Sequence, residues 1–316
     1  MSGPKVVALG GGHGLATSLQ ALRRVTPHLT AVVTVADDGG SSGRLRSELG
    51  MLPPGDLRMA LSALAGDDAW GATWERLLQH RFAGDGPLAG HAVGNLLLAG
   101  LVQTEGDVVP ALDLVGRLVG AAGRVLPASR VPLEICAAVT GLRDDPSEPT
   151  EVRGQVAVAT TPGSVSAVWL RPQDPPACEE AVQAVLDADW VVLGPGSWFT
   201  SVLTHLLVPG LRDALERTTA KRLVALNLAP QAGETSGFSP EAHLDVLLAH
   251  AASLGLDVVL ADEAAVQDRR GLLSAVEAAG ARLLLAPVAR GDGTPRHDPQ
   301  RLGNAYESIF SGAAWR

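Results

Sequence analysis

The chain has 316 residues, 46% of them apolar and 19% charged, which suits one large α/β domain or two average ones and not a disordered polymer. Its net charge of −9 argues against general nucleic-acid binding, which draws most of its affinity from basic surface. No apolar run approaches the roughly 18 residues of a membrane span. Met1 to Leu9 is too short and too weakly charged for a signal peptide, so the cytoplasm is the expected compartment. Only Cys136 and Cys178 are present, without CxxC or Cys/His spacing, which argues against a disulfide framework or structural zinc. Of the 25 basic residues only Lys5 and Lys221 are lysine; selection for phosphate contacts and a GC-rich genome both produce such a bias. With one tyrosine, two lysines and two cysteines, any chemistry rests on Asp, His, Arg, Ser and backbone groups.

In chain order, a strand-like run at 5–9 leads through Gly10-Gly-Gly-His-Gly14 into an apolar helical stretch at 15–22. A second buried-strand pattern covers 30–36, followed by a glycine- and serine-rich loop from Asp37 to Arg44. Leucines at helical spacing fill 56–82 and 92–118. From 124 to 171 the pattern turns to β, with strands expected at 133–139, 151–159 and 165–170 between Pro, Asp and Gly turns. A helix at 178–186, a strand at 190–193, the loop Gly194-Pro-Gly-Ser197 and a further helix follow. Strands are expected again at 222–228, 257–261 and 282–285, with Ser239 capping a helix that has Pro240 at its first position. Short continuous apolar strands alternating with helices predict a doubly wound, mostly parallel Rossmann-like sheet spanning 1–316, with a β-rich insertion at 124–171.

Ligands of such sheets sit beyond the carboxyl ends of the strands, so three loops draw attention. Gly10, Gly11, Gly12, His13 and Gly14 join a strand to a helix; they suit either a phosphate, through free N–H groups and the helix dipole, or merely a tight turn. Asp37 and Asp38, with Ser41 and Ser42, suit ribose hydroxyls, a Mg²⁺ held with a diphosphate, or a solvated capped turn. Gly194, Gly196, Ser197 and Thr200 suit a phosphate or a helix N-cap. Asp56 reads as a helix N-cap or a base, and Arg58 as a phosphate ligand or a surface charge. His91 reads as a buried or capping residue, while Asn95 is an amide that an apolar helix has little use for. Asn227, Gln231 and Glu234 read a base or sugar edge, or cap a polar turn. Trp198-Phe199 serves packing or stacks on a ring.

Together these segments resemble the YvcK-like gluconeogenesis factors. The resemblance rests on Val33-Thr-Val-Ala-Asp-Asp-Gly-Gly-Ser-Ser-Gly-Arg-Leu-Arg46, Pro53-Pro-Gly-Asp-Leu-Arg58, Gly94-Asn-Leu-Leu-Leu98, Gly194-Pro-Gly-Ser197 and Gln231-Ala-Gly-Glu-Thr235, in that order. It runs from about residue 5 to 250, and the last 65 residues add little to it. His13 stands for the usual Thr, Met59 for Asn, Trp198-Phe199 for Leu-Tyr and Ala229-Pro230 for Met-Thr. The resemblance implies a cytoplasmic protein needed for cell shape and wall growth on gluconeogenic carbon sources. It further implies binding of UDP-sugars, notably UDP-N-acetylglucosamine, without established turnover. Through the wider superfamily of the Mg²⁺-dependent 2-phospho-L-lactate transferase, it implies that the three loops surround a diphosphate.

Four readings follow: a UDP-sugar-binding regulator, a Mg²⁺-dependent transferase working through Asp37, Asp38 and Asp56, an NAD-dependent oxidoreductase, and a scaffold that binds nothing. The glycine spacing and the lack of a partnered proton donor count against NAD. A homodimer and a regulatory protein partner are expected, with neither nucleic acid nor membrane insertion.

Overall fold

A computed structural model describes residues 3–231, 234–235, 237–251 and 253–315. Its main sheet has seven strands, in spatial order 282–286, 258–262, 221–225, 190–193, 6–10, 29–33 and 124–127, every neighbouring pair parallel. These are β1 (Val6–Gly10), β2 (Leu29–Val33), β3 (Arg124–Pro127), β7 (Trp190–Leu193), β8 (Lys221–Ala225), β9 (Val258–Asp262) and β10 (Arg282–Ala286). β1, β7 and β9 are buried at every position, which is why β1, β7 and β9 up to Ala261 carry no alternating polar residues; β9 then ends in the buried, hydrogen-bonded Asp262. The chain builds outward from β1 to β3, then returns to β7 on the other side of β1. The crevice beyond the carboxyl ends of β1 and β7 is therefore the topological switch point.

Helix α1 (Gly12–Leu22) follows β1 and packs against α3 (Pro54–Leu64) and the last helix, α12 (Pro299–Phe310). The Tyr306 hydroxyl lies 2.9 Å from Ser18 Oγ in the core of that contact. Between β2 and β3 run α2 (Gly40–Leu49), α3, α4 (Ala69–Gln79), α5 (Val93–Glu105) and α6 (Val108–Leu118). No helix among the described residues is long and apolar enough to cross a membrane.

A separate antiparallel sheet, in the order β5-β4-β6, is formed by β4 (Glu134–Thr140), β5 (Thr150–Arg153) and β6 (Ser164–Arg171). The β-rich stretch beginning at 124 thus serves two sheets. Arg124–Pro127 extends the parallel sheet, where Pro127, lacking an N–H, is tolerated because β3 is an edge.

Three local expectations change. The expected strand at 151–159 ends at Arg153, because Gly154 (φ +92°) turns the chain into α7 (Gln155–Ala159). The expected loop at 37–44 becomes helical from Gly40, and Gly43 allows this by lying where a Cβ would be 2.0 Å from the Asp38 carbonyl oxygen. Asp56 does not cap α3: Pro53 is the N-cap and Pro54 opens the helix, placing Asp56 in the first turn. Ser239 caps α10 (Pro240–His250) as expected, its hydroxyl accepting from the Ala242 N–H.

Candidate functional site

The loops after β1 and β7 form the floor of a cleft of about 660 Å³ at the switch point. Gly11 is the N-cap of α1 in extended conformation, and Gly12 has a φ of +58° that a side chain would strain. The first N–H groups of α1 have no acceptor within the helix, and its dipole favours an anion there. A Cβ on Gly14 would fall 2.3 Å from the Pro195 carbonyl oxygen and 2.6 Å from Gly196 Cα. Gly14 therefore lets the two loops meet backbone to backbone. Gly11, Gly12, His13, Gly14, Gly196 and Ser197 line the cleft; Gly10, the last residue of β1, lies behind it.

Asn227, just past β8, fixes the second loop. Its Oδ1 accepts from the Gly196 N–H at 3.0 Å and its Nδ2 donates to the Gly196 carbonyl at 2.7 Å. Nδ2 also approaches Gln231 Oε1 at 3.5 Å. Asn227 and Gln231 both line the cleft, while Ala232 and Gly233 of the same motif lie outside the described residues. Thr200 and Glu234 face the protein instead. The Glu234 carboxylate accepts from the Thr200 hydroxyl at 2.7 Å, from the Phe199 N–H at 3.0 Å and from Ser197 Oγ. An internal carboxylate thus already caps the short helical turn at Trp198–Val202, where the sequence suggests a phosphate. Trp198 and Phe199 are buried against His243 and Phe238, packing and not offering a ring face.

The far wall comes from the segment after β10, where Arg290, Pro295, Arg296 and His297 line the cleft. Its frame is Asp262 at the end of β9, whose Oδ2 accepts from the Val288 and Ala289 N–H groups at 2.8 and 2.9 Å. The Arg290 N–H closes the turn on the Arg296 carbonyl at 2.9 Å. Burial lowers His297 to about 4, keeping it neutral. Sequence reasoning passed over this arm; two arginines flanking Gly-Asp-Gly-Thr-Pro after a strand end were the available signal. Two arginines at the mouth make the cleft cationic in a chain of net charge −9.

The remaining expected residues form an adjoining pocket of about 230 Å³, lined by Asp37, Ser41, Ser42, Asp56, Arg58 and Asn95 together with Met59 and Arg81. The Gly11–Gly12 backbone separates it from the cleft: a Cβ on Gly11 would sit 2.5 Å from Asp56 Oδ2. Burial, reinforced by Asp37, pushes Asp56 up to about 7 against the opposing pull of the Gly12 amide and Arg58. Burial and the neighbouring Arg81 lower Arg58 to about 10. Ser41 Oγ lies 2.9 Å from His91 Nδ1 and accepts from Asn95 Nδ2 at 3.0 Å. His91 is thus the buried histidine expected, its pKa lowered by burial and by Arg44. Asp56 Oδ2, Arg58 Nε and Asn95 Oδ1 are buried without a protein partner, a concentration of unmet polar groups that marks a ligand-facing surface.

Asp37 and Asp38 do not act as a pair. Asp37 Oδ1 accepts from the Gly39 N–H at 2.9 Å, whereas Asp38 Oδ1 turns away to the Val156 N–H at 3.0 Å. The carboxylate facing Asp37 is Asp56. Among the described residues no three His, Cys, Asp or Glu side chains converge on a metal position. A Mg²⁺ here would draw at most on Asp37 and Asp56, and would complete its octahedron with phosphate and water oxygens.

The 2-phospho-L-lactate transferase CofD family matches residues 6–280. A Mycobacterium leprae protein provisionally named a gluconeogenesis factor is 54% identical over 314 residues, covering 98% of this chain and 87% of its own. The gluconeogenesis factor of Halalkalibacterium halodurans is 39% identical over 250 residues, covering 79% of this chain and 74% of its own. The crystal structure of a UPF0052 family member from Bacillus halodurans superposes with a TM-score of 0.85 at 33% identity, over 96% of this chain and 99% of that one.

Proposed function

The chain belongs to the 2-phospho-L-lactate transferase CofD family and is similar along most of its length to proteins named gluconeogenesis factors; from this premise we propose that it is a cytoplasmic UDP-sugar-binding regulator. Its ligand is UDP-N-acetylglucosamine, and it works without turnover, reporting wall-precursor supply to a protein partner and so adjusting cell shape and wall growth on gluconeogenic carbon. The observation that carries this reading is the switch-point cleft. The glycine loop at the start of α1 presents backbone N–H groups to an anion, Arg290 and Arg296 add positive charge, and Gln231 supplies an amide suited to a base or sugar edge, while Asn227 holds the second loop in place beside it.

One feature favours a second reading, a Mg²⁺-dependent transferase acting on a nucleotide-diphosphate-linked donor. Asp56, at about 7, can exchange a proton near neutrality beside the cleft, and Asp37 faces it. The two readings separate by calorimetric titration of the purified protein with UDP-N-acetylglucosamine, GDP and NAD, each with and without Mg²⁺. Micromolar binding of the UDP-sugar without metal supports the regulator. Preference for GDP with Mg²⁺, or metal-dependent release of a nucleoside monophosphate, supports the transferase. Silence from all three overturns both.

A further inference from the structure

We propose that Gln155, carried by the antiparallel insertion, selects the group that lies beyond the diphosphate, and that Asp38 is the positioning residue that holds it there. This rests on the nucleotide-sugar reading above and deepens it. Gln155 opens α7 and lines the same cleft as the glycine loops. Its Oε1 is buried and bonds to nothing in the protein. A buried amide oxygen left bare is unfavourable, and the side chain gains an interaction when a donor from the cleft meets it.

Placement on the sheet indicates which part of a ligand Gln155 meets. The Asp38 loop follows β2 and the Asn227–Gln231 loop follows β8, on opposite sides of the central β1–β7 pair. A diphosphate over the loops of β1 and β7 has one end of the ligand running toward Asn227 and Gln231. The other end runs toward α7. An amide presents a donor and an acceptor side by side, the complement of a sugar hydroxyl or of an N-acyl group. The insertion reaches this position through a specific tether. The Val156 N–H donates to Asp38 Oδ1 at 3.0 Å, and a Cβ on Gly154 would fall 2.1 Å from Asp38 Oδ2. α7 also packs against the Trp198–Val202 turn. Asp38 therefore acts on the ligand through the insertion, while its neighbour Asp37 faces the adjoining pocket.

The test is calorimetry on the full chain with UDP-N-acetylglucosamine, UDP-glucose and UDP. Gln155→Ala is expected to weaken UDP-N-acetylglucosamine at least tenfold while UDP stays within twofold of the parent. Asp38→Ala shows the same selective loss, and Asp38→Asn, whose amide oxygen still accepts from Val156, restores most of it. Gln155 faces the sugar hydroxyls if UDP-glucose falls in step, and the N-acyl group if it does not; either supports the assignment. Unchanged UDP-N-acetylglucosamine affinity in Gln155→Ala, or an equal loss of UDP, overturns it while leaving the nucleotide-sugar reading in place. An Asp38→Ala variant with parental affinities overturns the positioning role. A parent chain that binds none of the three overturns the functional reading and this inference together.

Discussion

Asp56 sets burial against ionisation more sharply than any other acid near the cleft. The folded chain holds its proton up to about pH 7, whereas an exposed aspartate gives its proton up near 3.8. Between those values the native state binds the extra proton. The stability this contributes is full below the unfolded value and is lost as pH rises through the folded one. Asp56→Asn keeps the shape and removes the titration. Its stability relative to the parent should therefore rise by about 3 kcal/mol from pH 5 to pH 8, because only the native parent carries the proton between pH 5 and about 7. Urea unfolding at both pH values measures the gap, and a constant gap would mean that Asp56 is ionised throughout. Elsewhere in the site the neighbouring residues decide each role. Glu234 is spent on capping a helical turn and Asp38 on an amide of the insertion, although each has the same carboxylate as Asp37.

Asp262 shows how one element end can frame a binding wall. It accepts from two successive N–H groups of the arm after β10 and from Ala264 at 2.9 Å, and Arg301 from α12 adds a bond to the Ala289 carbonyl at 2.8 Å. Asp262→Ala strips the Val288 and Ala289 amides of their acceptor, at a cost of about 3 kcal/mol. It also releases Arg290 and Arg296 from their frame, so nucleotide affinity should fall in parallel. Urea midpoints and UDP titration read the two effects. Lost stability with parental affinity would remove the arm from the site. At the same scale α2 and α7 escaped sequence reading. Gly-Ser-Ser-Gly carries low helix propensity, and α2 forms there because Ser41 and Ser42 are buried and Gly43 packs over Asp38. α7 is a single short turn within a β-rich composition, too brief for helical periodicity to register.

Across the whole molecule, the C-terminal helix completes the core instead of trailing from it. Leu302, Tyr306 and Ile309 are buried against the body of the protein, and the Phe310 ring packs tilted at 38° against Trp190 on β7, with centroids 4.8 Å apart. Three such side chains contribute about 6 kcal/mol, comparable with the entire stability of an ordinary domain, about 5–15 kcal/mol. A chain ending at Asp298 should therefore melt at least 10 °C lower or lose its cooperative transition, read by far-UV circular dichroism. A truncated chain melting with the parent would mean that α12 is dispensable to the fold.

Much of this architecture was legible in local pattern. The apolar runs at 5–9, 190–193 and 257–261 read as buried parallel strands because strands covered on both faces have no polar side to show. Glycines at strand ends marked the β1 and β7 loops, and Ser239-Pro240 marked a helix start. These signals are local, set by steric limits on the backbone and by which side chains water can reach. What converges on the cleft was not legible, because strand order, and not spacing along the chain, carries Arg290 and Arg296 to Gly12. The expected site residues divide between two pockets for the same reason: the Gly11–Gly12 backbone and Asp56 meet only when α3 packs against α1. Adjacent carboxylates at 37 and 38 looked alike in sequence and were separated by tertiary contacts, since a side chain's partner depends on what folding places within about 3 Å of it.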